Sequence, residues 1–155
     1  MIDTAGVHVH PAHGTVIACE TGKSRFALEI LAGRHRLSAD EPREAGGEDS
    51  GASPYELLAA ALASCTVMTL RLYAERQNWA IGRISVAVRH ERIHARDCAD
   101  CAAGEARIDR FERRIAIEGE LSEDQRQRLL EIAERCPVHR TLTGRVRIDT
   151  RLVGG

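Results

Sequence analysis

The chain has 155 residues, the length of one ordinary domain, and folding at this length buries roughly 70% of the unfolded surface. Its 22 basic and 23 acidic residues nearly cancel and are interspersed, so no nucleic-acid or membrane-surface partner is indicated. Aromatic residues make up 3% of the chain, which also argues against stacking on nucleic-acid bases. We expect a single domain over residues 1–155, with small molecules or proteins as partners.

The N-terminal stretch MIDTAGVHVHPAHG lacks a basic segment followed by an apolar one. No segment is expected to supply the ~20 apolar residues of a membrane span, so we predict a cytoplasmic protein with a flexible start over residues 1–14. An odd number of cysteines without a signal peptide does not favour a static disulfide framework. The five thiols could instead take part in transient redox chemistry, bind a metal or simply be buried. They are Cys19, Cys65, Cys98, Cys101 and Cys136.

Three short strands are predicted first in chain order, over residues 15–19, 26–31 and 34–39. The second of them alternates apolar and polar residues, and Gly33 marks the turn into the third. The Gly-rich stretch EPREAGGEDSG, residues 41–51, is predicted to be flexible.

A long helix is predicted from Ser53 to about residue 78. Ser53 is a typical N-cap, Pro54 suits the first helical position, and Glu56 has the capping-box place. Ala, Leu, Val and Met occupy nearly every side of the helix between residues 57 and 72. We therefore expect this central helix to be buried most of the way round.

A hairpin, a second helix and a last strand are predicted for the rest of the chain. Residues 83–93 and 107–119 alternate like antiparallel strands, and Ser122 with Gln125 opens a helix that ends near Cys136. The segment RVRIDTRLV is predicted as a final strand, which completes an α+β fold with largely antiparallel sheets and two main helices. The arginines of the second hairpin strand are interpreted as a solvated face paired with acidic neighbours: Arg107, Arg110, Arg113 and Arg114, with Glu112 and Glu118.

Two cysteines are candidates for chemistry. Cys65 lies in the middle of the apolar helix, where burial as a small hydrophobic residue is the alternative to a reactive role. Cys136 precedes Pro137, which can open another helical turn and leave free backbone N–H groups near the sulfur, surroundings that favour a thiolate. The pair could act as attacking and resolving thiols if the fold brings their Cα atoms within about 7 Å, which the spacing leaves open.

The stretches RHRLSADEP, GGEDSGASPYELLAAALASCTVMTLRLYAERQNW and CPVHRTLTG closely resemble the family of osmotically inducible protein C and organic hydroperoxide resistance proteins (OsmC/Ohr). The resemblance implies an OsmC-like fold, an intertwined homodimer and a thiol-dependent peroxidase that needs no cofactor. In the implied reaction, Cys65 attacks an organic hydroperoxide and becomes a sulfenic acid. Cys136 then captures it as a disulfide, and an external dithiol reduces that bond.

The family also holds its reactive thiolate with a Glu and an Arg. Glu56 stands one position later than the family's acid, a rotation of ~100° on a helix, and lies ~13 Å along the helix from Cys65. Glu56 therefore either caps its own helix or serves the Cys65 of a second chain packed about a two-fold axis. Arg25 and Arg43 are the candidates for the arginine.

Two alternatives stay open beside the peroxidase. A non-enzymatic protein could keep this fold and an apolar pocket, and bind a small molecule or sense redox state. The motif H-x₃-C-x₂-C, formed by His94, Cys98 and Cys101, contains a Cys pair with zinc-knuckle spacing but no evident fourth ligand. Its two cysteines could hold zinc, form a redox disulfide or be idle surface thiols.

Overall fold

The computed structural model of the protein describes residues 14–94 and 107–152. The chain divides into two compact units, Met1–Leu57 with Thr150–Gly155, and Leu58–Asp149. The mixed α+β architecture with antiparallel sheets predicted from the sequence is confirmed. In chain order the elements are β1 (Val16–Glu20), β2 (Leu28–Ala32), β3 (His35–Ala39), a 3-10 helix (Arg43–Ala45), α1 (Pro54–Arg76), β4 (Ile84–His94), β5 (Arg107–Ile117), α2 (Glu123–Ala133) and α3 (Pro137–Thr143).

The first unit contains an antiparallel sheet in the order β1-β2-β3. Ile30 on the central strand is buried and lies in register with Ala18 on one side and Leu37 on the other. Gly33 has a φ of 61°, the left-handed conformation that the tight turn between β2 and β3 requires. The three predicted strands are therefore confirmed to within two residues.

The Gly-rich stretch after β3 forms a hydrogen-bonded loop around a buried carboxylate, not the flexible segment predicted. Asp40 is 2% exposed and accepts the Ser50 hydroxyl at 2.7 Å, the backbone N–H groups of Ser50 and Glu48 at 3.2 Å, and that of Glu41 at 2.9 Å. A Cβ on Gly47 would overlap the Glu41 carbonyl. The glycines thus allow close backbone approach, which a search for flexible composition does not distinguish from disorder.

The hydrogen bonds at the two ends of α1 confirm both of its predicted boundaries. At its start, the Glu56 carboxylate accepts the Ser53 backbone N–H at 2.7 Å and the Ser53 hydroxyl at 2.8 Å. At its end, Asn78 has a φ of 55°, and the Trp79 N–H donates back to the Ala74 carbonyl at 2.9 Å. This left-handed residue with its backward hydrogen bond is a Schellman motif, which stops the helix.

Burial of α1 in the single chain follows one stripe, whereas the sequence predicted burial on nearly every side. The opposite side leaves Met68 70% exposed and Leu72 49% exposed. The buried residues recur every four positions, as one face of a helix requires: Leu62, Thr66, Leu70 and Ala74.

By length and composition alone, α1 is long and apolar enough to cross a membrane, so the expectation that no segment reaches this composition was wrong. The core helix of a water-soluble protein passes the same test. Here Leu70 joins a buried cluster with the hairpin and α2. We therefore interpret α1 as a core helix.

The second unit packs α1 and α2 with the β4-β5 hairpin. Ile84 lies opposite Ile117 in the register of the hairpin, and Val86 lies opposite Ile115. The buried core cluster combines residues from three elements, since Leu70 comes from α1 and Ile84 from β4, with the others from α2: Leu129, Ile132 and Ala133. Tyr73 and Trp79 add an edge-to-face ring pair with centroids 5.6 Å apart.

The predicted final strand was wrong for the described part of the C-terminal segment. Residues 144–152 contain no strand, and they follow α3, which ends at Thr143. Val146 is 60% exposed and Ile148 is 83% exposed. Alternation alone predicts a strand, but a strand also needs a neighbouring edge that satisfies its backbone groups.

Replacing Asp40 tests how far the loop depends on its carboxylate. The hydrogen bond from the Ser50 hydroxyl has the largest effect on Asp40 and lowers its pKa. Hydrogen bonds from backbone N–H groups lower this pKa further, while burial opposes them. A carboxyl whose pKa is lower in the folded chain stabilises the fold above its unfolded pKa of about 3.9, and this contribution is lost as pH falls through the folded value. We expect Asp40→Asn to lower the urea midpoint at pH 7, and the difference from wild type to shrink in acid.

Circular dichroism at a series of urea concentrations measures this difference at each pH. Asp49→Asn in the same loop is the matched control, because Asp49 is exposed and Asn tolerates its φ of 56°. A difference between Asp40→Asn and wild type that is constant from pH 7 to about pH 2.5 would contradict the assignment.

Candidate functional site

Cys65 lies in the second unit, near the middle of α1. It is half-buried and carries a free thiol, and the next residue, Thr66, is fully buried. A thiol at the border of a buried helix stripe is accessible to a small molecule while the residue beside it is held in the core.

Cys136 is fully buried and is the N-cap residue of α3. Its extended backbone, with φ −61° and ψ 141°, precedes Pro137 at the first helical position, so the predicted helical turn is confirmed. The sulfur accepts the backbone N–H of His139 at 3.3 Å. It is also 3.8 Å from the Thr66 hydroxyl oxygen.

Thr66 brings the two cysteine motifs together, although 70 residues separate it from Cys136. Because Cys65 is its neighbour in the chain, the Cys136 sulfur lies beside the helical turn that bears Cys65. Covalent geometry limits the distance from this sulfur to the Cys65 Cα to about 10 Å. Neither thiol is part of a disulfide in this structure.

Arg113 is the residue of this site that the sequence analysis missed. Its guanidinium donates to the Thr66 hydroxyl oxygen at 3.0 Å and to the Ala133 carbonyl at 3.0 Å. The interpretation of all four β5 arginines as a solvated face was therefore wrong for Arg113. It holds for Arg110, which pairs with Glu91 at 3.2 Å, and for the exposed Arg114.

The period-2 pattern of β5 could have indicated that Arg113 is partly buried. Phe111, Ile115 and Ile117 alternate toward the apolar face, and Arg113 has the same parity. Across the hairpin it lies opposite Val88. The four arginines were interpreted as one group, although the parity of Arg113 places it on the same face of β5 as the apolar residues.

Glu56 and the two candidate arginines, Arg25 and Arg43, all belong to the first unit. The hydrogen bonds from Ser53, with that from its backbone N–H the largest effect, lower the pKa of Glu56. Arg25 lies over the ring of Phe26, 4.8 Å from its centroid, and Arg43 is exposed in the 3-10 helix. The observed partners of Glu56 are those of a helix cap.

Residues 47–151 match the family described as OsmC-like protein, which covers most of the chain and both cysteine motifs. The chain belongs to this family. None of the curated proteins matches it.

Solved structures of OsmC-like proteins share the fold. An osmotic stress induced and detoxification response protein from Psychrobacter arcticus is 19% identical with a TM-score of 0.67, over 84% of this chain and 89% of that one. An organic hydroperoxide resistance protein from Legionella pneumophila is 24% identical with a TM-score of 0.62, over 86% and 93%. Another from Elizabethkingia anophelis is 20% identical with a TM-score of 0.63, over 83% and 86%.

No group of three or more His, Cys, Asp or Glu side chains able to hold a metal occurs within residues 14–94 and 107–152. Cys98 and Cys101 of the predicted zinc or redox loop lie outside the described residues. The candidate site of this OsmC-like protein is therefore described by Cys65, Thr66, Arg113 and Cys136.

The difference in burial between the two thiols predicts their order of modification. We expect iodoacetamide to alkylate Cys65 at least about ten-fold faster than Cys136 in native reduced protein, because only Cys65 is accessible without local opening. Peptide mass spectrometry over a time course measures both rates. In urea the two rates should converge, and equal rates in the native protein would contradict the burial of Cys136.

Proposed function

We propose that this OsmC-like protein is a thiol-dependent peroxidase for organic hydroperoxides, with Cys65 as the attacking thiol and Cys136 as the resolving thiol. The observation that carries the proposal is the 3.8 Å approach of the Cys136 sulfur to Thr66, the residue next to Cys65. Two of the structural relatives are named organic hydroperoxide resistance proteins, which agrees with this chemistry.

The proposed reaction has three balanced steps. The Cys65 thiolate attacks the O–O bond of ROOH, which breaks it; with one proton the products are the alcohol ROH and a Cys65 sulfenic acid. Cys136 attacks that sulfur, the S–O bond breaks, and water leaves as the disulfide forms. A dithiol then reduces the disulfide by two exchange steps and is itself oxidised.

The surroundings of Cys65 on α1 favour hydroperoxides with an apolar group. Met68 is exposed and lies three residues after Cys65, which places an accessible apolar side chain next to Cys65 along the helix surface. Apolar neighbours bind the organic part of a hydroperoxide better than they bind hydrogen peroxide. The need for a dithiol reductant fits the cytoplasm, where thiols are kept reduced.

A peroxide assay tests the proposal. With dithiothreitol as reductant, we expect reduced protein to consume cumene hydroperoxide faster than hydrogen peroxide, and Cys65→Ser to lose at least about 100-fold in rate because the nucleophile is gone. Cys136→Ser should still be oxidised once, and its sulfenic acid should react with dimedone.

Mass spectrometry of the oxidised wild type should show a peptide linkage between Cys65 and Cys136. Cys19→Ser is the matched control, because Cys19 is a half-buried free thiol in the first unit and should not affect the rate. Wild-type protein that consumes no hydroperoxide, or a Cys65→Ser variant with an unchanged rate, would rule out the peroxidase and favour the non-enzymatic binding protein.

We also propose a homodimer in which Glu56 serves the Cys65 of the second chain. The exposed apolar side chains Met68 and Leu72 on one side of α1 support a partner surface there, since they lie one helical turn apart. Glu56 lies ~13 Å along the helix from the Cys65 of its own chain, which is too far for direct contact. A second chain, packed about a two-fold axis, could bring the two residues together.

Mixing two inactive variants tests the dimer and the role of Glu56 together. If the site is shared, Glu56→Ala and Cys65→Ser should each be inactive alone, while an equilibrated equimolar mixture should regain about a quarter of the wild-type activity. Ser53→Ala is the matched control because it weakens the same helix cap, costing about 1 kcal/mol, without removing the carboxylate. A fully active Glu56→Ala variant would leave Glu56 as a helix cap only, and a mixture without activity would exclude a shared site.

A further inference from the structure

Arg113 on β5 is a half-buried cation next to the candidate site. Within residues 14–94 and 107–152 it forms no salt bridge, although Arg110 on the same strand does. Glu131 and Glu134 line a cavity with Arg113, but the ion pair of Glu131 is with Arg128 at 2.7 Å. The two hydrogen-bond acceptors of the Arg113 guanidinium are therefore neutral oxygens, which its charge polarises.

Both atoms that accept a hydrogen bond from Arg113 also contact Cys136. Ala133 O, which accepts the guanidinium, also accepts the backbone N–H of Cys136 at 3.3 Å. Thr66 Oγ1, which accepts the same guanidinium nitrogen, is the atom that contacts the Cys136 sulfur. Arg113 thus connects the turn that bears Cys136 to the turn of α1 that bears Cys65.

The Thr66 hydroxyl has one proton and two acceptors within reach, the Leu62 carbonyl at 2.7 Å and the Cys136 sulfur at 3.8 Å. The guanidinium already occupies a lone pair of this oxygen, so the hydroxyl is polarised toward donation. When Cys136 loses its proton, rotation of the hydroxyl directs its hydrogen to the thiolate. The Thr66 hydroxyl is therefore placed to donate to the Cys136 sulfur as negative charge develops on it during attack.

We propose that Arg113 is a positioning residue for the resolving step, acting through Thr66 to hold Cys136 and to stabilise its thiolate as it attacks the Cys65 sulfenic acid. The inference rests on the proposed function and adds a residue to it. The Cys136 thiol gives its proton to solvent, the S–S bond forms from the Cys136 electron pair as the S–O bond of Cys65 breaks, and the leaving hydroxide recombines with that proton as water.

A single-turnover experiment separates the two chemical steps. One equivalent of cumene hydroperoxide is added to reduced full-length protein, and samples are quenched over time for the dimedone adduct of Cys65 and for the Cys65–Cys136 disulfide. We expect Arg113→Met to oxidise Cys65 within about two-fold of wild type but to form the disulfide about ten-fold more slowly, because hydrogen bonds to a charged group are lost. The sulfenic acid should accumulate accordingly.

Matched variants distinguish positioning from a structural role. Arg113→Lys keeps the charge and should recover part of the resolving rate, while Arg114→Met on the opposite face of β5 should behave as wild type. Thr66→Val should slow resolution like Arg113→Met, and Thr66→Ser should not. The double variant Arg113→Met with Thr66→Val should be no slower than either single variant, because both act through one hydroxyl.

A second version of the experiment uses the thiol oxidant diamide in place of the hydroperoxide. The accessible Cys65 thiol adds to the N=N bond of diamide, and Cys136 then attacks the Cys65 sulfur, which breaks the S–N bond and releases the hydrazine as the same disulfide closes. Arg113→Met should therefore slow closure even if the wild type consumes no hydroperoxide. Equal slowing of both steps, a resolving rate within two-fold of wild type, or an Arg113→Lys variant no faster than Arg113→Met would overturn the proposal. Circular dichroism confirms that each variant is folded.

Discussion

One buried hydroxyl, that of Thr66, ties together the parts of the second unit that carry chemistry. A polar group without solvent needs partners inside the protein, and this one takes them from its own helix, from β5 and from the N-cap of α3. The position of Cys136 follows from this requirement, because its sulfur occupies the remaining side of the Thr66 hydroxyl. The apolar cluster around Leu70 supplies the free energy that keeps α1, the hairpin and α2 packed while these polar contacts set the geometry.

Much of the fold could be predicted because its local signals agree with each other. Capping boxes mark the starts of both long helices, and period-2 alternation marks both strands of the hairpin. The two cysteine motifs were recognisable for the same reason, since each lies at a well-defined helical position. Residues such as Ser53 and Ser122 act on groups within three positions of themselves, and such short-range effects are visible in a sequence.

The features that escaped prediction depend on partners far away in the chain. Asp40 is buried because it accepts four hydrogen bonds from its loop, and no pattern of glycines shows that. The segment around Val146 and Ile148 alternates like a strand but pairs with no strand within the described residues. Arg113 is an intermediate case: its parity was readable from Phe111 and Ile115, but its partners, Thr66 and Ala133, were not.

The place of Cys136 at the start of α3 links redox state to helix stability. Its sulfur accepts the His139 N–H and so serves as the side-chain cap of a helix only seven residues long. A sulfur that is bonded to another sulfur is a weaker and differently directed acceptor than a thiolate, and short helices depend strongly on their caps. Oxidation of Cys136 would therefore weaken the cap of the first turn of α3.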